Sequence, residues 1–133
     1  MENKYFRTKT TVSLINYHFV FCPKYRRKIF LIPHVEERFK ELTRQICDEL
    51  KIEILAMECH IDHVHLFLRC WPKQSPAEIM REVKGVSSHR LRDEFPQLSG
   101  MSSLWTRSYF VSTAGNVSSE TIKRYVDTQK TRG

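Results

Sequence analysis

Residues 60–68, HIDHVHLFL, combine an apolar strand pattern with three histidines and an aspartate. Side chains alternate between the two faces of a β-strand, so His63 and His65 point to the same face. The apolar residues between and after them, beginning with Val64, point to the other face. Because a buried polar group needs a hydrogen-bond partner, only the apolar face suits a hydrophobic core. The stretch predicts a sheet with helices on one face and paired imidazoles on the other.

The rest of the chain alternates between strand and helix patterns. Apolar, aromatic and β-branched residues predict strands over residues 11–22, 51–58 and 61–70 and within 104–113. Apolar residues at helical spacing predict helices over roughly 34–50 and from Pro76 to about Asp93, the second capped by Ser75. After a turn at Gly115 and Asn116, Ser118 or Ser119 caps a short terminal helix within 120–130.

The element order β-α-β-β-α-β, followed by one more helix, predicts a fold of the α+β class. It matches the ferredoxin-like (RRM-like) split βαβ arrangement, an antiparallel sheet with two helices on one face. The terminal helix is expected on the other face. We find no linker composition or internal repeat, so residues 1–133 are predicted to form a single domain.

The chain carries a net charge of +7 with a pI of about 9.4, which favours a polyanionic partner, nucleic acid first. We see no apolar run long enough for a bilayer and no secretory h-region, so no membrane partner is expected. The four cysteines lack CxxC spacing and are expected to be reduced. These features predict a cytoplasmic protein.

His63 and His65 are close enough on one strand face to share an ion, and their pattern in a basic chain favours a metal site. The plainer alternative is two ordinary surface histidines. His60 and Asp62 fall on the opposite parity and are less suited as direct ligands unless the strand bulges. Asp62 could instead orient an imidazole, because metal-binding histidines usually need a hydrogen-bond acceptor behind them.

The terminal helix places Tyr125 and Gln129 one turn apart, beside an apolar stripe of Ile122 and Val126. If that stripe docks on the sheet, Tyr125 and Gln129 reach the face that carries the histidines. Taken by itself, the helix is better explained by a tyrosine that packs at the edge of the core.

Five segments carry motifs in a characteristic order: YHFVFCPKYRRK at 17–28, DHVHLFL at 62–68, SPAEIMREVKGVSS at 75–88, LWTRSYFVSTAG at 104–115 and RYVDTQK at 124–130. Together they resemble the single-tyrosine transposases of the HUH endonuclease superfamily, which mobilise small insertion sequences as single-stranded DNA. The resemblance covers nearly the whole chain. One departure is Ile61, where the family is expected to have a proline or small residue.

The resemblance implies an enzyme that cleaves and rejoins single-stranded DNA through a 5′-phosphotyrosine at Tyr125. It implies Mg²⁺ or Mn²⁺ bound by His63, His65 and Gln129. It also implies recognition of hairpins at element ends, and a homodimer in which the tyrosine helix acts in cis or in trans.

The candidate DNA contacts combine cations for phosphates with an aromatic ring for unpaired bases. They are Lys24, Tyr25, Arg26, Arg27 and Lys28, with Arg81, Lys84 and Arg92 on the second helix. Two other functions stay open: a domesticated relative that processes hairpins, and a non-catalytic module that binds single-stranded nucleic acid. A zinc hydrolase has little support, because no carboxylate is convincingly placed as a base.

Overall fold

The structure is a computed structural model that describes residues 4–113. The turn at Gly115 and Asn116 and the helix predicted within 120–130 lie outside the described residues. The described elements follow the order β1 (Phe6–Arg7), β2 (Val12–Ser13), β3 (Ile15–Phe21), α1 (Val35–Glu49), β4 (Glu53–His60), β5 (His63–Cys70), α2 (Pro76–Glu94) and β6 (Phe110–Thr113).

The main sheet has the strand order β4-β5-β3-β6, and all of its neighbouring strands are antiparallel. The chain therefore leaves β3, crosses through α1 and returns as β4 with β5 between them. It leaves β5, crosses through α2 and returns as β6 with β3 between them. These two split βαβ units confirm the predicted ferredoxin-like sheet for the described residues.

The core lies between the sheet and the two helices, because each of these elements has one apolar side. On β5, Val64, Leu66 and Leu68 are fully buried, as the alternation predicts. On β3, Phe19 and Phe21 point the same way and join the same cluster. The helices supply the other wall of the core through buried residues such as Phe39 and Ile79, at helical spacing along each element.

Local signals place the helix ends where the sequence predicts them. The side chain of Ser75 accepts a hydrogen bond of 3.1 Å from the backbone N–H of Glu78, and Pro76 occupies the first turn of α2. Across the helix pair, Arg38 donates two hydrogen bonds, of 2.7 and 3.0 Å, to the carboxylate of Glu94. This bidentate contact joins α1 to the C-terminal end of α2.

Three strand predictions differ from the structure. The expected strand over 11–22 is broken at Leu14 into β2 and β3, and β2 pairs with β1 in a separate hairpin that the sequence pattern did not predict. The last strand begins only at Phe110, because the residues from 104 onward form a loop that bonds to α2. β4 ends at His60 rather than at residue 58.

Within residues 4–113, neither α1 nor α2 combines the length and the apolar character that crossing a bilayer requires.

Replacing Leu66 with alanine should lower the free energy of unfolding by about 2–5 kcal/mol, because a fully buried side chain leaves a cavity. Leu31→Ala is the matched control, since Leu31 is 63% exposed. Urea unfolding of both variants measures the difference. Equal losses for the two leucines would contradict the assignment of Leu66 to the core.

Candidate functional site

The hairpin between β4 and β5 creates a histidine cluster, which we define as His60, His63 and His65. His60 ends β4, His63 begins β5, and the two residues are directly paired across the hairpin. Residues directly opposite each other in an antiparallel pair point to the same face. His65 lies two residues farther along β5 and shares that face. One ligand atom from each histidine lies within 4.8 Å of those from the other two.

The structure contradicts the prediction that His60 lies on the opposite parity from His63 and His65. Counting alternate residues is valid within one strand, but a two-residue turn at Ile61 and Asp62 separates His60 from β5. Cross-strand pairing, rather than parity, decides which face His60 occupies. The prediction failed because β4 was expected to end two residues too early.

Hydrogen bonds fix the two rings that β5 contributes. The Nδ1 atom of His63 lies 2.9 Å from the Asp62 carboxylate, and the Nδ1 atom of His65 lies 3.0 Å from Nε2 of His18. When the Nδ1 of an imidazole carries the proton and donates it, the Nε2 lone pair is available to a metal ion. The Asp62 carboxylate can only accept, so it selects this tautomer of His63, and His65 adopts it when His18 is the acceptor.

His18 was missed by the sequence analysis. It is 3% exposed on β3 and pairs with Phe67, on which its ring stacks at 4.1 Å between centroids. Burial lowers the pKa of His18 to about 4, so its ring is neutral at neutral pH and can accept a hydrogen bond from His65. The available signal was alternation: in β3, His18 lies on the face opposite Phe19.

A basic turn, defined here as residues 23–28, lies beside the histidine cluster. Arg26 forms an ion pair of 3.1 Å with the same Asp62 carboxylate that contacts His63. The hydrogen bond from His63 and the charge of Arg26 lower the pKa of Asp62 below its ordinary value. Arg26 is thereby linked to an imidazole of the cluster through one carboxylate.

Tyr25 is the most exposed large hydrophobic side chain among the described residues, at 87% exposure. Both Tyr25 and Arg26 have positive φ angles, of 59° and 51°. Arg27 and Lys28 are also exposed, whereas the Lys24 ammonium donates a long hydrogen bond of 3.4 Å to Ser102. The turn presents cations and an aromatic ring to solvent, as a surface for single-stranded nucleic acid requires.

The three basic candidates on α2 occupy different environments. Arg81 is exposed. The Lys84 ammonium donates to the backbone carbonyls of Thr106, Arg107 and Ser108, at 2.7 to 3.2 Å, and burial lowers its pKa. Arg92 donates to the carbonyl of Met101 at 3.1 Å. Lys84 and Arg92 therefore hold the loop before β6.

The same loop positions the basic turn. Ser87 and Ser88 on α2 accept hydrogen bonds of 2.9 Å from the Trp105 indole and the Leu104 backbone. Leu104 in turn accepts a hydrogen bond of 2.8 Å from the backbone of Lys24. Polar side chains of α2 thus support the turn through this loop.

Two predicted site residues, Tyr125 and Gln129, lie outside the described residues. Of the other predicted site residues, the structure brings His63, His65, Asp62 and Arg26 together. Lys84 and Arg92 instead donate hydrogen bonds to the loop before β6, and Arg81 is exposed on α2.

The described residues thus form an α+β protein whose sheet presents an imidazole cluster beside a basic turn that carries an exposed aromatic ring. Residues 11–129 match the family described as "Transposase IS200 like". The chain belongs to this family, which confirms the resemblance to the single-tyrosine transposases and assigns transposase activity to the protein.

Two transposases are similar to this chain over most of its length. The chain is 31% identical over 121 residues to the ISDra2 transposase TnpA of Deinococcus radiodurans, covering 89% of this chain and 86% of that protein. It is 36% identical over 118 residues to the transposase for insertion sequence element IS200 of Salmonella typhimurium, covering 85% and 75%.

Two solved transposase structures have a fold similar to that of this chain. A crystal structure of a candidate transposase from Deinococcus radiodurans R1 aligns with a TM-score of 0.76 and 28% identity, over 93% of this chain and 97% of that one. The REP-associated tyrosine transposase bound to a REP hairpin aligns with a TM-score of 0.62 over 91% and 69%. At 13% identity, this second likeness is one of fold alone.

Replacing Lys84 with methionine should destabilise the protein by about 2 kcal/mol, because three backbone carbonyls lose a charged donor. Arg81→Met removes the same charge from an exposed position and should cost about 0.5 kcal/mol or less. Urea unfolding compares the two. If Lys84→Met kept full stability but weakened DNA binding, Lys84 would belong to the nucleic-acid surface instead.

Proposed function

We propose that this transposase cleaves and rejoins single-stranded DNA at the ends of an insertion sequence, with Tyr125 as the nucleophile. The observation that carries the proposal is the pair of oriented imidazoles on the sheet face opposite the helices. His63 and His65 each make a hydrogen-bond contact through Nδ1, and one ligand atom of each lies within 4.8 Å of the other. Family membership supplies the DNA chemistry that such a pair would serve.

The donor set fits a divalent ion, because imidazoles held by acceptors are typical metal ligands. His63 and His65 would hold the ion, with Gln129 as a further ligand and Mg²⁺ or Mn²⁺ as the cofactor. When bound, such an ion withdraws electron density from a phosphate and stabilises the charge that develops during cleavage.

The covalent step belongs to Tyr125. Its phenol oxygen attacks the scissile phosphorus and gives its proton to solvent or a base. The bond from phosphorus to the 3′ oxygen breaks, and that oxygen leaves as a 3′-OH after taking up a proton. The product is a 5′-phosphotyrosine, which a second 3′-OH reverses onto new DNA. The number of phosphodiester bonds is conserved, so rejoining needs no ATP.

The basic turn and the exposed ring of Tyr25 suit single-stranded DNA near the scissile phosphate, because cations meet phosphates and aromatic rings stack on unpaired bases. Hairpins near the element ends are the proposed recognition feature. The REP-associated tyrosine transposase, which is similar to this chain in fold alone, is bound to a REP hairpin in its own structure.

The proposed assembly is a homodimer. In such a dimer, the helix that carries Tyr125 serves either its own subunit or the partner's histidines.

The nucleophile is tested with labelled single-stranded DNA from the flanks of the gene. Denaturing gels should show a covalent protein–DNA adduct with the unaltered chain, and Tyr125→Phe should abolish it because the phenol oxygen is absent. Tyr5→Phe is the matched control and should keep the adduct. An undiminished adduct with Tyr125→Phe would contradict the mechanism.

Metal dependence is tested in the same assay. Removing divalent ions with EDTA should abolish the adduct, and adding Mg²⁺ or Mn²⁺ should restore it. His63→Ala should reduce adduct formation by about a hundredfold or more, because the phosphate loses its electrostatic stabilisation. DNA binding without any adduct, unaffected by EDTA or by His63→Ala, would favour the non-catalytic binding module.

A further inference from the structure

We propose that His60 is a third imidazole ligand, and that the resulting site binds transition-metal ions in preference to Mg²⁺. This inference rests on the proposed function, which places a divalent ion at His63 and His65. It goes beyond that function by adding a ligand and by naming the class of ion that the site selects.

The first argument is backbone register. His60 and His63 face each other as the last pair of the β4–β5 hairpin, so their side chains leave the same face at neighbouring positions. His65 is the next residue of β5 on that face. Three consecutive positions of one hairpin face are therefore histidines, and the ladder itself fixes their spacing.

The second argument is the separation of the ligand atoms, which lie within 4.8 Å of one another. Nitrogens that share one ion at about 2.1 Å are roughly 3 Å apart, so the rings must close by a small side-chain rotation. The rings of His60 and His63 are stacked 4.3 Å apart, and that of His65 is nearly perpendicular to both, at 5.4 and 5.1 Å. The three rings are therefore close neighbours, and their ligand atoms need to move by about 2 Å or less to share an ion.

The third argument is shielding from water. The Nε2 atom of His60 has almost no solvent-accessible surface, and His65 is 3% exposed. Asp62 and His18 hold the other two rings from behind, through contacts that do not use the Nε2 atoms. An ion at this cluster would therefore meet donors that are already dehydrated and oriented, which reduces the free energy needed to organise the site.

The ligand type then decides the ion. Mg²⁺ prefers oxygen ligands in near-ideal octahedral geometry and usually keeps several waters. Imidazole nitrogen suits later first-row ions, with affinity rising from Mn²⁺ through Co²⁺ to Ni²⁺. A third imidazole strengthens that bias, so Co²⁺ is expected to bind much more tightly than Mg²⁺.

The test is a titration of the full chain with Co²⁺, followed by visible absorption, with Mg²⁺ as competitor. His60→Ala should weaken Co²⁺ binding by about tenfold or more and change the ligand-field spectrum, because a nitrogen ligand is lost. His60→Asn, which keeps a polar side chain of similar shape, should show the same loss. His89→Ala on the exposed surface of α2 is the matched histidine control and should bind as the unaltered chain does.

Circular dichroism of each metal-free variant shows whether the fold is retained. If folded His60→Ala or His60→Asn binds Co²⁺ with unchanged affinity while His63→Ala loses it, His60 is not a ligand. If equimolar Mg²⁺ displaces Co²⁺, the proposed selectivity is wrong. An unaltered chain that binds no Co²⁺ also overturns the inference.

The readout is independent of DNA cleavage. If a Tyr125-dependent adduct forms and the His60 variants bind Co²⁺ with unchanged affinity, the proposed function is supported and this inference is wrong. If the chain forms no adduct but loses Co²⁺ binding in the His60 variants, the proposed function is wrong and His60 is still a metal ligand.

Discussion

The structure depends on β5, a central strand whose two faces are buried for different reasons. One face is apolar and packs against both helices, and this close packing fixes the position of the strand. The other face carries His65, Phe67 and Arg69, which are also buried. His65 and Arg69 have hydrogen-bond partners on neighbouring strands, and Phe67 stacks on His18. Because the apolar face cannot slip by one residue without exposing the core, the imidazoles cannot change sides.

Rigid placement alone would not prepare these histidines for the proposed ion, since an imidazole can rotate and exchange its tautomer. The structure restricts both with contacts from different parts of the chain. His18 comes from the neighbouring strand β3, and Asp62 comes from the hairpin turn. Arg26 adds a link from the turn after β3 to the same carboxylate. The orientation of the histidines therefore depends on sheet pairing and turn geometry together.

The sequence was sufficient for features that depend on one element at a time. Alternation within β5 predicted the faces of His63, His65 and the core residues, and capping predicted the start of α2. It was insufficient where two elements meet. The face of His60 depends on cross-strand pairing, and the role of Lys84 depends on a loop that folds back onto its helix. His18 was accessible by alternation in β3, but only its pairing with β5 shows that it contacts His65.

The left-handed backbone at Tyr25 and Arg26 has a consequence for how this turn is maintained. Holding a residue with a β-carbon in that region costs roughly 1–2 kcal/mol, whereas glycine adopts it freely. The ring of Tyr25 recovers little of that free energy by packing, because most of it is in solvent. Folding stability alone would thus favour glycine at this position. Relief of backbone strain and retention of the exposed ring are therefore opposing demands on one residue, because glycine would satisfy the first and remove the second.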